Sequence, residues 1–244
     1  MRRALILVHE PGGGACQIGR RLTQRGVAVD SHVITADLAK PNDAAPFPDH
    51  TPYDLLISMG SIHSLTRKDE IDSWIQIELD LLCAAHEART PILGVCFGGQ
   101  ALADALGGMV EPAPIPEIGW FEIREAKGAV NPIGPGPWFE WHQDRFIPPP
   151  DAEVLARTEH ATQLFRLDRA VGTQFHPEID VGHVQAWLAE TPDEYLDEVG
   201  CDRDQLLAEV VVNEAANIAQ CHRLVDWFLD RVAFPTNETL DVNQ

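Results

Sequence analysis

Two short segments of this 244-residue chain carry side chains that could make and break an acyl bond. In Gly94-Val95-Cys96-Phe97-Gly98 a thiol stands between two glycines. That is the pattern of a sharp strand-to-helix elbow: the nucleophile takes a strained turn conformation, and the glycines let strand and helix approach without Cβ clashes. Later in the chain, His176-Pro177-Glu178 puts an imidazole two residues from a carboxylate. The thiolate is the attacking form of cysteine. A neighbouring imidazole lowers the thiol pKa and carries its proton, while a carboxylate fixes the imidazole tautomer. Together these residue types point to nucleophilic attack on a carbonyl carbon through a thioester. The other histidines show no comparable carboxylate spacing and read as solvated or core residues.

The elements that must position these groups are legible in the apolar pattern. Pro91-Ile92-Leu93-Gly94-Val95 reads as a short buried strand, and residues 100–106 have helical apolar spacing ending at Gly107-Gly108. Apolar runs at 4–8, 27–34, 54–58 and 91–95 alternate with helical patterns near 15–25, 69–88 and 98–106. That alternation predicts an α/β fold with a mostly parallel central sheet flanked by helices. Cys96 then falls at the carboxyl end of a central strand, where open sheets of this kind form their ligand crevices. A further strand is expected from Ala170, continuing through His176 because proline keeps the residue before it extended; Glu178 would then share its face. Residues 110–175 read as a strand-rich second half with hairpins, its Pro-rich turns separating short runs such as Trp120-Phe121-Glu122-Ile123. A long helix is expected from about Asp202 to Val232, with Leu207, Val211, Ala215, Ile218, Val225 and Phe228 on one stripe. It could cover the sheet, form a dimer surface or dock a partner. The division that follows is a main domain over 1–190, a C-terminal helical extension packed on it over 191–234, and a frayed acidic tail over 235–244.

The segment Gly94 to Gln100, followed by Gln174-Phe175-His176-Pro177-Glu178, resembles the class I (triad) glutamine amidotransferase family. Trp141-His142-Gln143-Asp144-Arg145-Phe146 with the later Pro148-Pro149 resembles a segment of stand-alone members similar to the amidotransferase domain of GMP synthase. The likeness runs from the first strand to about residue 180. It implies a flavodoxin-like fold with Cys96 as nucleophile, His176 as general base and acid, and Glu178 as its orienting residue. It also implies an oxyanion hole made by the backbone N–H groups of Gly60 and Phe97, and contacts to substrate from Gln100, His142, Gln143 and Asp144. The substrate would be glutamine or a γ-glutamyl compound, no cofactor or metal would be needed, and a separate synthetase subunit would accept the ammonia.

Three departures from the family pattern stand out, the first bearing on the geometry of the oxyanion loop and the other two on substrate. Ser58-Met59-Gly60-Ser61 stands where a Ser-Gly-Gly-Pro is common, Gly99 where many members have histidine, and Gln143 where many have glycine. Alternatives of the same chemistry and of another class are a γ-glutamyl peptide or amine hydrolase using the same triad, and a non-catalytic regulatory protein binding a γ-glutamyl ligand.

Composition sets the remaining bounds. With 38 acidic against 18 basic residues, a formal charge of −20 disfavours nucleic acid and anionic membranes as partners. The first apolar run is too short for a signal-peptide core, and no run reaches membrane-spanning length, so a cytoplasmic location is expected. Five cysteines without framework spacing argue against a disulfide scaffold, and there is no C-x-x-C or Cys/His cluster of the zinc-binding kind. The glycine-rich turn after the first strand lacks the Lys-Ser/Thr of a phosphate loop. A homo-oligomer is compatible with all of this.

Overall fold

Residues 1–235 are described in the computed structural model. The chain opens with β1 (Arg3–Val8), α1 (Cys16–Gln24), β2 (Ala28–Val33) and β3 (Leu55–Ser58), then a 3-10 segment over Leu65–Ile71. Next come α2 (Ile75–Glu87), β4 (Ile92–Val95) and α3 (Phe97–Ala105). The second half holds β5 (Met109–Phe121), β6 (Arg124–Glu125), β7 (Trp138–Ile147), β8 (Glu153–Arg157), β9 (Thr162–Leu167) and β10 (Ala170–Thr173). It closes with α4 (Val181–Glu190), α5 (Asp193–Glu198) and α6 (Arg203–Trp227), whose last turn widens into a π segment over Phe228–Ala233.

One sheet runs β2-β1-β3-β4-β10-β9-β8-β6, and a separate antiparallel ribbon pairs β5 with β7. The strands from β2 through β10 are parallel, whereas β9, β8 and β6 continue the sheet antiparallel. Every residue of β3, β4 and β10 is buried, as the unbroken apolar runs of a sheet covered on both faces require. Along β1 the two-residue period deals Ala4, Ile6 and Val8 to one core, with α1 and α6, and Leu5 and Leu7 to the other, with α2 and α3. A smaller cluster joins β7 to the helical end through Phe139, Val184, Leu188, Leu196, Leu206 and Val210.

Three local expectations are corrected. Trp120 and Phe121 do not start a short run; they end the long β5, which passes through Pro112, Pro114 and Pro116 with its register broken between Pro112 and Glu117. Prolines cannot donate to a ladder, and the irregular pairing there accommodates them. The strand preceding His176 stops at Thr173, and Pro177-Glu178 forms a turn, while His176 N donates instead to Phe139 O at 2.8 Å. The long helix exists, but its inward stripe is Leu206, Val210, Asn217, Cys221 and Leu224; Val211 is 57 % exposed and Ala215 is exposed. Val225 and Phe228 are buried as expected. The phase of the first half was obscured because Asn217 and Gln220 are polar residues on the buried side. The expected tail over 235–244 lies, apart from Pro235, outside the described residues.

The α6 register is testable by paired substitutions. Val210→Ala removes part of a fully buried side chain and should destabilise by about 1–2 kcal/mol. Val211→Ala should stay within about 0.5 kcal/mol in chemical denaturation. Equal effects at the two positions would contradict this packing.

Candidate active site

Cys96 occupies the elbow between β4 and α3 with φ 49° and ψ −108°, a left-handed conformation that few side-chain-bearing residues adopt. Strain of this kind costs on the order of 1–3 kcal/mol and is held only by surrounding structure. Here the holding is explicit: Cys96 N donates to Thr173 O of β10 at 2.8 Å, and Gly98 N donates to Met59 O at 2.9 Å. The first turn of α3 is pressed so closely between strands that a Cβ on Gly98 would overlap the Ser58 carbonyl, and one on Gly99 the Thr173 carbonyl. In this chain, therefore, Gly99 leaves no room for the histidine many family members carry at that position.

His176 and Glu178 meet this thiol from the loop after β10. His176 Nδ1 lies 2.9 Å from Glu178 Oε1, with both side chains 5 % exposed. The carboxylate engages Nδ1, leaving Nε2 to exchange a proton with sulfur. Burial opposes charging of the ring, but the adjacent Cys96 sulfur and Glu178 carboxylate prevail and hold its pKa well above the usual value. Trp187 of α4 crosses the imidazole edge-on, with centroids 5.0 Å apart. The loop itself is clamped from α6: buried Asn217 Nδ2 donates to Pro177 O at 3.2 Å and to Ile179 O at 3.1 Å, one carbonyl on each side of Glu178.

The Ser58–Ser61 segment forms the opposite wall. A Cβ on Gly60 would stand 2.8 Å from His176 Cε1, so close approach of the ring demands glycine. The Gly60 carbonyl accepts from His9 Nδ1 at 3.1 Å, and His9 Nε2 reaches Glu78 Oε2 at 3.0 Å, both side chains fully buried. Ser58 Oγ also donates to Glu78, at 2.7 Å. Burial resists protonation of His9, yet Glu78 outweighs it and raises the pKa. Glu10 braces the same loop from outside, accepting from Ser61 Oγ at 2.8 Å and Ile62 N at 3.1 Å. Among the turn and loop hydrogen bonds of the described residues, neither Gly60 N–H nor Phe97 N–H donates to a backbone carbonyl, and Phe97 opens its helix, where amides have no intrahelical partner. Gly60 and Phe97 both line the pocket that contains Cys96.

These groups line one pocket of about 360 Å³, in which Cys96, His176 and Glu178 lie together with Gln100, Gln143 and Asp144. Gln100 spends its amide on Asp144 O at 3.0 Å and Gln174 Oε1 at 3.4 Å, tying α3 to β7. Asp144 accepts from Ser64 Oγ and so joins the 3-10 segment to the same wall. Gln143 is exposed at the mouth, which Tyr195 of α5 also lines. His142 borders the pocket too, but its side chain is 1 % exposed and points into a buried cluster. There Nε2 lies 3.1 Å from Glu117 Oε2 and 3.4 Å from Glu140 Oε2, and Nδ1 lies 3.0 Å from Asp144 O. Burial opposes charging of His142, but Glu117 and Glu140 raise its pKa to about 10. Burial likewise pushes Glu140 up to about 7 against the pull of His142.

The expectation that the remaining histidines lack carboxylate partners is thus corrected for His9, His142 and His183, the last paired with Asp180 at 2.7 Å. Their partners lie on other elements or at a helix spacing. Only the position of His9, just past the carboxyl end of a parallel strand, could have marked it. Asn217 carried a fainter signal, a polar residue inside an apolar helix face. No group of three or more His, Cys, Asp or Glu side chains able to hold a metal is found among the described residues, and no helix there is long and apolar enough to cross a membrane.

A family model described as "Glutamine amidotransferase class-I" matches residues 16–190. The chain is 39% identical over 121 residues to a GMP synthase (glutamine-hydrolyzing) of Aeropyrum pernix, covering 46% of this chain and 23% of the relative. It is 30% identical over 227 residues to the GMP synthase (glutamine-hydrolyzing) of Thermomicrobium roseum, covering 80% of this chain and 40% of that one. The chain thus spans less than half the length of these relatives. In fold it is similar to a glutamine amidotransferase from Thermotoga maritima, with a TM-score of 0.79 at 22% identity over 96% of this chain and 99% of the other. A glutamine amidotransferase from Methylobacillus flagellatus gives the same TM-score at 24% identity, covering 94% of each chain.

The His142 cluster predicts a pH dependence with a definite sign. Its pKa is raised in the fold from 6.5 to about 10, so its stabilising effect is complete below 6.5 and is lost as pH rises through 10. The deficit in Tm of His142→Gln relative to wild type should therefore narrow steadily between about pH 7 and pH 10. A deficit that stays constant over that range would show the imidazole to be uncharged in the folded protein.

Proposed function

The chain belongs to the class I glutamine amidotransferase family, and from that premise we propose that it hydrolyses the γ-carboxamide of glutamine through a thioester on Cys96, releasing ammonia. The observation that carries this reading is the strained Cys96 facing an imidazole whose Nδ1 is held by Glu178 at 2.9 Å. The Cys96 thiolate attacks the amide carbon, and the tetrahedral oxyanion is held by the Gly60 and Phe97 N–H groups. His176 gives its proton to the departing ammonia. It then takes one from water, which hydrolyses the γ-glutamyl thioester to glutamate and restores the thiol. Glu178 orients the ring and stabilises it when charged. His9 and Glu78 act at one remove by fixing the Gly60 carbonyl, and Asn217 by fixing the turn that carries Glu178.

In this reading residues 1–190 form the amidotransferase-like domain and 191–234 an extension packed on it. The protein works in the cytoplasm and delivers ammonia to a separate synthetase subunit. Gln100 and the Trp141–Asp144 backbone shape the glutamine site, His142 from behind. A second substrate, a γ-glutamyl peptide or amine, is favoured by one observation: Gln143, where many family members carry glycine, is exposed and lines the pocket with Tyr195, so its side chain offers a polar contact that a glycine would lack.

Steady-state kinetics on glutamine test the assignment. His176→Ala should lower kcat by about 10²–10⁴-fold, because the imidazole moves both protons. Glu178→Gln should retain more activity, since Glu178 orients and stabilises the ring but moves no proton itself. Wild-type-like turnover in both folded variants would remove the triad. A kcat/KM higher for a γ-glutamyl dipeptide than for glutamine would assign the site to the second substrate.

A further inference from the structure

Cys16 heads another cysteine–imidazole–carboxylate chain. Its Sγ lies 2.6 Å from His183 Nε2, and His183 Nδ1 lies 2.7 Å from Asp180 Oδ1. The connectivity is that of Cys96, His176 and Glu178. The backbone repeats as well: Cys16 opens α1 after β1 with φ 46°, as Cys96 stands at the head of α3 after β4 with φ 49°. Asp180 is the N-cap of α4 and accepts from His183 N at 3.1 Å, so the imidazole is anchored at two points. Cys16 is partly exposed, and His183, Gly13 and Gly14 border the pocket that contains Cys96.

We propose that Cys16 is a second reactive thiol, a modification site for small hydroperoxides that works with His183 as general base. Burial and the nearby Glu178 and Asp180 carboxylates push the thiol pKa up, so Cys16 rests protonated, with Gly14 O and His183 Nε2 each 2.6 Å from sulfur and able to accept its one proton in turn. A base must therefore act at the moment of attack. With Nδ1–H committed to Asp180, His183 presents the Nε2 lone pair to that proton. Acyl transfer is not supported here, because the first amide after the sulfur, Gln17 N–H, is committed to Glu178 O at 3.4 Å and cannot serve an oxyanion. Attack on a peroxide needs no such donor. The proton passes from sulfur to His183, sulfur bonds the near oxygen, and the O–O bond breaks. The leaving hydroxide, or alkoxide, takes the proton from His183. Sulfur is oxidised to a sulfenic acid and the peroxide is reduced to water or an alcohol.

The test uses the full chain carrying Cys96→Ala, so that its outcome does not depend on the glutamine reaction. The protein is treated with hydrogen peroxide and dimedone, and adducts are located by peptide mass spectrometry. Cys83, whose thiol donates to Glu87 at 3.9 Å, is the internal reference. The Cys16 adduct should form at least about tenfold faster than that on Cys83, and His183→Ala should slow it by about 10²-fold while leaving Cys83 unchanged. Asp180→Asn keeps an N-cap residue and should give an intermediate loss, which decides the case should His183→Ala fail to fold. A Cys16 adduct no faster than that on Cys83, or one indifferent to both substitutions, would overturn the proposal.

Discussion

A single backbone hydrogen bond, Cys96 N to Thr173 O at 2.8 Å, joins the two halves of the site. It continues the parallel pairing of β4 with β10 by one residue, at the point where the chain turns into α3. Everything chemical follows from that seam. Because β10 stands next to β4, the loop after it carries His176 and Glu178 to the same sheet edge as the thiol. Because α3 starts at once, Phe97, its first residue, lines the same pocket as the thiol. The left-handed conformation at Cys96 is unfavourable alone and is stable only because neighbours on β3 and β10 leave the turn no alternative.

Around this seam the fold places buried histidine–carboxylate pairs in layers. His176–Glu178 faces the pocket, His9–Glu78 lies beneath the Gly60 loop, and His142–Glu117 lies behind β7. Each imidazole spends one nitrogen on a carboxylate; in the two inner pairs the other nitrogen meets a main-chain carbonyl, whereas His176 keeps it for the thiol. Buried pairs of this kind add little net stability, since desolvation consumes much of the Coulombic gain. Their effect is geometric. They hold the Gly60 and Asp144 peptides in fixed orientations in the lining of the pocket that contains Cys96.

Much of the fold and the core of the site were legible in the sequence for physical reasons. Fully buried strands leave unbroken apolar runs, and an elbow leaves glycines around its nucleophile. His-Pro-Glu brings its pair together by local stereochemistry, whether the backbone continues as a strand or turns, which is why the pairing survived the error in strand length. The rest was encoded at long range. His9 meets Glu78 from 69 residues away in the chain, and apart from the place of His9 at a strand end nothing local marks the pair. On α6 the buried face contains Asn217 and Gln220, so an apolar count favours a stripe rotated toward Val211. Yet Asn217 is buried for a reason, namely the two carbonyls flanking Glu178. The prolines of β5 read as turns because a sequence shows the missing donors but not the irregular ladder that tolerates them.

In the proposed reaction Cys96 is the thiol that forms a bond with the side-chain amide carbon of glutamine. Intact-mass and peptide mass spectrometry after brief exposure to a glutamine analogue bearing an electrophile in place of the side-chain amide tests it directly. One adduct per chain, located on Cys96 and suppressed by excess glutamine, is the predicted result. An adduct on Cys16, Cys83, Cys201 or Cys221 in preference to Cys96, or labelling of Cys96 that glutamine does not suppress, would contradict it.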